Sequence, residues 1–114
     1  MIGLLKKAKE MSEKSTHPHY PMVAFAMKGG NIVEWGTNRY SKINFPKTLH
    51  CEEALAQKLG RRGETISKVF IFRFKGSGSL GLARPCLRCR EALREVGVTR
   101  IVFSSDNGFI TEKI

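Results

Sequence analysis

Two short stretches of the chain determine its interpretation: His50-Cys51-Glu52 and Pro85-Cys86-Leu87-Arg88-Cys89. Cys86 and Cys89 are three residues apart, so on one helical turn their thiols share a face and can bind the same ion. His50 supplies an imidazole as a third ligand. Three protein ligands leave one tetrahedral position open, and an open position is what a catalytic zinc needs in order to hold water.

Glu52 stands two residues from His50, and this spacing sets a condition on the local structure. Positions two apart on a helix point roughly 200° away from each other. Both side chains therefore reach one small site only if a helix begins there, with the ion near its amino end. A carboxylate beside metal-bound water can then take a proton from that water and pass it on to a leaving group.

Other interpretations of the cysteine pair stay open at this point. A purely structural zinc site needs four protein ligands, and the candidates for the fourth are Cys51, His17 and His19. A thioredoxin-like redox pair is the second alternative, which the separate His-x-Glu motif disfavours. The odd total of three cysteines argues against a disulfide framework.

The two motifs together resemble the signature of the zinc-dependent cytidine/deoxycytidylate deaminase superfamily, which is His-x-Glu followed by Pro-Cys-x-x-Cys. Every required position of that signature is present in this chain. The resemblance implies Zn²⁺ bound by His50, Cys86 and Cys89, with Glu52 as the catalytic residue that transfers protons. It implies an enzyme that hydrolyses a cytosine base to uracil and releases ammonia.

The resemblance leaves the substrate open among a nucleoside, a nucleotide such as dCMP and a single-stranded polynucleotide. Arg90, directly after Cys89, and a closing hairpin at Asn107-Gly108 point to the free-nucleoside branch of the family. His50 instead resembles the deoxycytidylate, tRNA-adenosine and polynucleotide branches. The alternatives to cytosine deamination are deamination of adenosine in tRNA or other RNA, and a non-catalytic nucleic-acid-binding module with the deaminase fold.

Four residues are candidates for substrate binding. The resemblance implies a contact from Asn38, in the segment after the second strand, and one from the backbone amide of Cys51. The alternative role of Asn38 is turn chemistry, for which asparagine is a common choice. Tyr40 and Phe45 are candidates to stack on a base at the edge of the site, and membership of the core is the alternative for both.

Length and composition favour one soluble domain over residues 1–114. Apolar residues make up 41% of the chain, and no apolar run approaches the roughly 18–20 residues that cross a bilayer. Lys6 and Lys7 interrupt the apolar start, so we expect no signal peptide and no membrane partner. A cytoplasmic location is therefore predicted, and assembly as a homo-oligomer stays open.

Charge is the strongest compositional signal. Twenty Lys and Arg residues against ten Asp and Glu residues give a formal net charge of +10. Such a balance attracts anions, and it favours a phosphorylated substrate or single-stranded nucleic acid over a free nucleoside. The basic residues are spread along the chain, which is also typical of a solvated surface.

Hydrophobic periodicity predicts an α/β fold in which helices and strands alternate after an opening hairpin. The family resemblance implies a three-layer α/β/α arrangement, with a mixed five-stranded sheet and helices on both faces. Residues 37–47 are predicted to form a loop. The predicted elements are a helix over 2–14, strands over 22–27 and 32–36, a helix from the N-cap Thr48 to Leu59, a strand over 67–75, a helix over 85–96, and strands over 100–104 and 109–114.

Overall fold

The computed structural model of the protein describes residues 2–15, 21–41 and 47–114. Within these ranges the chain forms three helices and eight strands. In chain order they are α1 (Ile2–Ser12), β1 (Met22–Lys28), β2 (Asn31–Thr37), β3 (Arg39–Ser41), β4 (Lys47–Leu49), α2 (Cys51–Arg62), β5 (Lys68–Phe74), β6 (Leu80–Gly81), α3 (Leu87–Glu95), β7 (Arg100–Ser105) and β8 (Gly108–Lys113).

The main sheet has the strand order β2-β1-β5-β7-β8, and the two-residue β6 pairs with β5 beside this path. β5 and β7 are parallel because α3 crosses over between them, whereas the other neighbouring strands are antiparallel. Gly29 and Gly30 both adopt left-handed backbone, with φ of 58° and 79°, as a tight turn between β1 and β2 requires. The mixed sheet predicted from the sequence is confirmed, with β6 as an addition.

Helices cover both faces of the sheet, so the predicted three-layer α/β/α arrangement is confirmed. Along β5, Val69 and Ile71 belong to the core that α2 and α3 cover. Phe72 and Phe74 point to the other face and pack in the core that α1 covers. The two-residue alternation of a strand thus builds two cores at once, which explains why five of the seven residues of β5 are apolar.

The start of α2 differs from the prediction. Thr48 does not cap the helix but lies in β4, opposite Tyr40 of β3. The residues predicted to form a loop therefore include a short strand pair, and residues 42–46 lie outside the described ranges. This pairing keeps the chain extended as far as Leu49, so the helix begins two residues later and His50 becomes its N-cap.

The end of α2 also differs from the prediction. α2 continues to Arg62, three residues beyond its predicted end, and Gly63 then adopts left-handed backbone with φ 68°. The Gly63 amide donates to the Leu59 carbonyl at 3.2 Å, which closes the last turn.

None of the three described helices combines the length and the apolar character that a membrane-spanning helix requires.

Two cations of α2 fix this helix along the edge strand β2. Lys58 Nζ donates to the Trp35 carbonyl at 2.7 Å, and an Arg62 guanidinium nitrogen donates to the Val33 carbonyl at 2.8 Å. Both cations also lie within 4.0 Å of the Glu34 carboxylate. The outward carbonyls of an edge strand are otherwise open to other chains, and here they hold the helix that carries His50.

Gly36 allows α2 to approach β2 closely. A Cβ atom at Gly36 would lie 2.7 Å from the Cys51 carbonyl oxygen and 2.8 Å from the Leu55 amide nitrogen. Both are backbone atoms of the first turns of α2, so a side chain at this position must push the helix away. A glycine inside a predicted strand is a known sign of such an approach, and it is the signal that could have identified Gly36 from the sequence.

We expect Gly36→Ala to destabilise the fold by about 1–3 kcal/mol, the usual cost of an added methyl group in a packed interior. The measurement is urea denaturation followed by circular dichroism. Gly60→Ala is the matched control, because a Cβ there meets only Val96 Cγ1 at 3.9 Å. It should stabilise the protein by about 0.5–1 kcal/mol through helix propensity. A Gly36→Ala protein as stable as wild type would contradict the packing described.

Candidate metal centre

His50, Cys86 and Cys89 converge at one point, with their ligand atoms all within 4.8 Å of one another. His50 Nδ1 lies 3.1 Å from Cys89 Sγ and 3.9 Å from Cys86 Sγ, and the two sulfurs are 3.5 Å apart. Zinc–sulfur and zinc–nitrogen bonds of about 2.3 and 2.0–2.1 Å in a tetrahedron require separations of roughly 3.5–3.8 Å between ligands. The observed separations bracket that range, so these three side chains can hold a zinc ion.

Two helix amino ends supply the ligands. His50 is the N-cap of α2, and Cys86 is the N-cap of α3, with extended backbone at both residues. Cys89 lies in the first turn of α3, whose Arg90 amide donates to the Cys86 carbonyl at 3.0 Å. The sequence placed Cys86 and Cys89 on one helical turn and required a helix start at His50, and the structure has both features. The partial positive charge at helix amino ends also favours thiolates as ligands.

The environment of Cys89 keeps its thiol protonated when no cation is bound. The side chain is fully buried, and burial together with the nearby Glu52 carboxylate raises the pKa of its thiol. A thiol of raised pKa keeps its proton at neutral pH unless a cation displaces it. One imidazole nitrogen and two sulfurs are a donor set that suits zinc, which accepts both ligand types.

Glu52 is a buried carboxylate beside this group of ligands. Only 3% of the residue is exposed, and its Oε1 accepts a hydrogen bond of 2.7 Å from the Cys51 thiol. Burial and the Glu52 carboxylate raise the pKa of Cys51 well above its usual range, so this thiol stays protonated and able to donate. Among the described residues no cation forms an ion pair with Glu52, although buried carboxylates are normally paired.

The structure describes the predicted substrate-binding residues Asn38, Tyr40 and Phe45 to different extents. Asn38 is buried, and its Oδ1 accepts hydrogen bonds from the Met22 amide at 2.9 Å and the Ser15 hydroxyl at 2.5 Å. This oxygen therefore joins the start of β1 to the segment after α1. The backbone of Tyr40 lies in β3, whereas Phe45 falls outside the described residues. Substrate contacts by these three residues stay predictions.

The fourth ligand of a structural zinc site is not found among the described residues. Cys51 is not part of the group of converging ligand atoms, because its thiol turns to Glu52. His17 and His19 lie outside the described ranges. Within the described part of the chain, three side chains therefore converge as candidate metal ligands.

A shared carboxylate connects the two helix starts, a feature the sequence analysis missed. Glu53 Oε1 accepts a hydrogen bond from the His50 backbone amide at 3.3 Å and one from Arg88 Nη2 at 3.1 Å. Arg88 lies between the two cysteines, so this bridge aligns α2 with α3 at the ligands. The pattern of Glu three residues after an N-cap is a recognised signal for the first of these bonds.

Glu112 holds the cysteine segment to the last strand. Its two carboxylate oxygens accept from Arg90 Nη1 at 2.6 Å and from Arg84 Nη1 at 2.7 Å. The hydrogen bond from Arg90, with help from Arg84, lowers the pKa of Glu112, so the carboxylate stays charged at neutral pH. Because the two arginines flank Cys86 and Cys89, the Arg84–Glu112–Arg90 bridge restrains both ends of that segment. The sequence alone does not reveal it, since it depends on the pairing of β7 with β8.

The fold and the ligand set define a zinc-binding α/β/α protein with a buried carboxylate at the ion site. The family model for the cytidine and deoxycytidylate deaminase zinc-binding region matches residues 2–105. The chain therefore belongs to the cytidine and deoxycytidylate deaminase family. Family and fold together make it a zinc-dependent hydrolytic deaminase.

Solved structures agree with this assignment at the level of the fold. Cytidine deaminase from Mycobacterium leprae is 22% identical with a TM-score of 0.67, over 94% of this chain and 88% of that one. Cytidine deaminase from Burkholderia pseudomallei is 16% identical with a TM-score of 0.74, over 98% and 91%. The dCMP deaminase of cyanophage S-TIM5 is 20% identical with a TM-score of 0.67, over 91% and 81%. The sequence matches none of the curated proteins.

We expect Cys86→Ser and Cys89→Ser to lose bound zinc and, with it, thermal stability, because metal binding and folding are coupled. Zinc per chain is measured by atomic absorption, and stability by thermal unfolding. Cys51→Ala is the control and should keep its zinc, because the Cys51 thiol faces Glu52. Loss of zinc from Cys51→Ala, or full zinc in either serine variant, would contradict the ligand assignment.

We expect Glu112→Gln to release zinc several-fold faster to a chelator, because the Arg84–Glu112–Arg90 bridge no longer restrains the cysteine segment. The measurement is the rate of zinc transfer to a chromogenic chelator. Asp106→Asn is the control, since it removes an exposed ion pair with Lys75 instead. Equal release rates in the two variants would show that the bridge has no effect on the metal centre.

Proposed function

We propose that the protein hydrolyses the exocyclic amine of cytosine in a nucleotide such as dCMP, giving the uracil nucleotide and ammonia. The observation that carries this proposal is the buried carboxylate of Glu52, which forms no ion pair with any described residue, beside three converging candidate zinc ligands. A second line of support comes from a neighbour in fold, since the cyanophage S-TIM5 dCMP deaminase has been solved with dCMP and dUMP. That structure has a TM-score of 0.64 to this chain.

The reaction requires a proton carrier at the position of Glu52. A zinc ion held by His50, Cys86 and Cys89 would supply Lewis acidity and activate the attacking water. Glu52 would accept a proton from that water through a carboxylate oxygen and return it to the departing amine. The bond from oxygen to C4 of the base forms, the bond from C4 to the amine nitrogen breaks, and ammonia leaves.

Cys51 has two proposed roles in this reaction. Its thiol donates to Glu52 Oε1 and so holds the carboxylate in one orientation. Its backbone amide is the first of α2, and such amides have no acceptor within their own helix. We propose that this amide donates to the base. Asn38, Tyr40 and Phe45 stay proposed substrate contacts on the strength of the family resemblance.

Features of the chain favour a nucleotide over the other candidate substrates. The closing hairpin predicted at Asn107-Gly108 is present, since β7 and β8 pair antiparallel. Through its resemblance to the free-nucleoside branch, this hairpin favours a small free substrate over a polynucleotide. The net charge of +10 favours a phosphate on the substrate. His50 favours it too, through its resemblance to the deoxycytidylate branch. Adenosine in RNA is the second candidate function, supported by the same charge and the same histidine.

The experiment is an ammonia-release assay on the zinc-loaded protein, with cytidine, deoxycytidine, dCMP, single-stranded DNA and tRNA. We expect turnover of dCMP and a loss of at least about 10²-fold in Glu52→Ala, because a positioned proton carrier contributes 10²–10⁴-fold. Zinc content should be unchanged in that variant, because Glu52 is not a ligand.

Glu95→Ala is the matched control, because it removes an exposed glutamate from the end of α3 and should leave turnover intact. Turnover that survives Glu52→Ala with its zinc in place would refute the role of Glu52. Turnover of tRNA adenosine in place of dCMP would select the second candidate function. Absence of turnover on every substrate would favour a non-catalytic binding module.

A further inference from the structure

Three cations stand side by side at the end of the sheet far from the metal centre. Lys68 pairs in register with Arg100 of β7, and Arg100 pairs with Lys113 of β8. Residues paired across strands point to the same face, so these side chains form one row, here called the cationic row. Arg100 and Lys113 are exposed, and Lys68 is half-buried.

The cationic row lies on the opposite side of the sheet from the metal-binding helices. Lys68 shares its strand face with Phe70, which packs on the side that α1 covers. α2 instead contacts the sheet at Gly36, which pairs through Ala24 with Ile71. Ile71 is three residues from Lys68, a distance of roughly 10 Å along a strand. The row and the metal centre are therefore separate surfaces.

Within the described part of the chain, none of these three cations forms an ion pair. The carboxylates that do form pairs bind other cations, as Glu34, Glu64, Asp106 and Glu112 do. Like charges directly opposite each other on neighbouring strands are destabilising. Three of them in adjacent positions indicate a surface that binds an external anion.

The shape of this surface suits a chain of phosphates. The row covers two spacings between strands, about 10 Å, which is longer than one phosphate group. It borders a concavity of about 350 Å³ that Ser67 and Thr99 also line. A second concavity of about 480 Å³ continues past Lys68 to Phe70 and the glycine turn of the β1–β2 hairpin.

We propose that the cationic row binds the phosphate backbone of a single-stranded polynucleotide, at a site distinct from the metal centre. The row supplies the charges that neutralise phosphates, and a serine hydroxyl such as that of Ser67 is a common donor to phosphate oxygens. Phe70 is half-buried at the inner end of the row, and Lys68 lies over one face of its ring. The Lys68 ammonium group lies 5.1 Å from the centre of that ring.

The test is fluorescence anisotropy with a labelled oligothymidylate of about 12 nucleotides, within the usual range of single-strand site sizes. The variant Arg100→Gln/Lys113→Gln removes two charges from the row. We expect its affinity at low salt to fall about tenfold or more. The slope of log K against log salt should decrease by about 1.4, because each lost phosphate contact on a single strand contributes about 0.7.

Arg61→Gln/Arg94→Gln is the matched control, because it removes two exposed cations of α2 and α3 that form no ion pair in the described residues. It should leave the affinity within about twofold of wild type, since these cations lie outside the row. Equal losses in the two double variants would reduce the effect to net charge and overturn the proposal. A thermal melt of each variant confirms that it is folded.

Competition separates this site from the metal centre and identifies the class of ligand. Glu52→Ala should bind the oligonucleotide as wild type does, so the result does not depend on turnover. Inorganic phosphate serves as the control competitor at the same concentration as dCMP. If dCMP displaces the oligonucleotide where inorganic phosphate does not, the oligonucleotide lies in the metal centre, which contradicts the proposal. Displacement by poly-glutamate as effective as that by unlabelled oligonucleotide would indicate an acidic protein as partner and overturn the nucleic-acid assignment.

Discussion

The structure depends on the meeting of two helix amino ends at one point. His50 caps α2 and Cys86 caps α3, and each cap carries a metal ligand into the space between the two helices. Cys89 and Glu52 enter the same space from the first turns of these helices. A side chain at a cap can reach past the helix end, whereas residues within a helix are limited to one face. Ligands from two remote stretches of sequence are thereby brought within 4.8 Å of one another, with the Glu52 carboxylate near Cys89.

Holding the two helix ends together requires contacts that involve no metal ligand side chain. Gly36 lets α2 lie against the backbone of β2, and Lys58 and Arg62 bind the carbonyls of that strand. Glu53 bridges the two helix starts through Arg88, and Glu112 restrains the cysteine segment through its flanking arginines. The ion pairs among these contacts, Glu53–Arg88, Glu112–Arg84 and Glu112–Arg90, involve partly exposed side chains. They add little stability singly, so we attribute to them the alignment of the ligands rather than the free energy of folding.

The sequence predicted the parts of this molecule that depend on local pattern. The spacing of His50, Glu52 and the cysteine pair predicted the convergence of three candidate ligands and the helix start beside them, and the resemblance of the two motifs predicted the family. Alternation along β5 indicated a strand buried on both faces. The prediction of Thr48 as an N-cap was wrong. Thr48 lies in β4, which pairs with β3 and keeps the chain extended beyond Thr48. The residues of these two strands carry no strand pattern in the sequence. The roles of Gly36 and Glu112 and the cationic row depend on which residues of distant strands lie side by side, and periodicity does not encode that register.

The central claim is that the ion at this site has three ligands from the protein and a fourth position for water. Zinc-edge X-ray absorption on the zinc-loaded protein tests it most directly. We predict two sulfurs at about 2.3 Å and two nitrogen or oxygen atoms at about 2.0–2.1 Å, of which only one belongs to an imidazole. A third sulfur, or a second imidazole, in the coordination sphere would show a closed structural site and contradict the account.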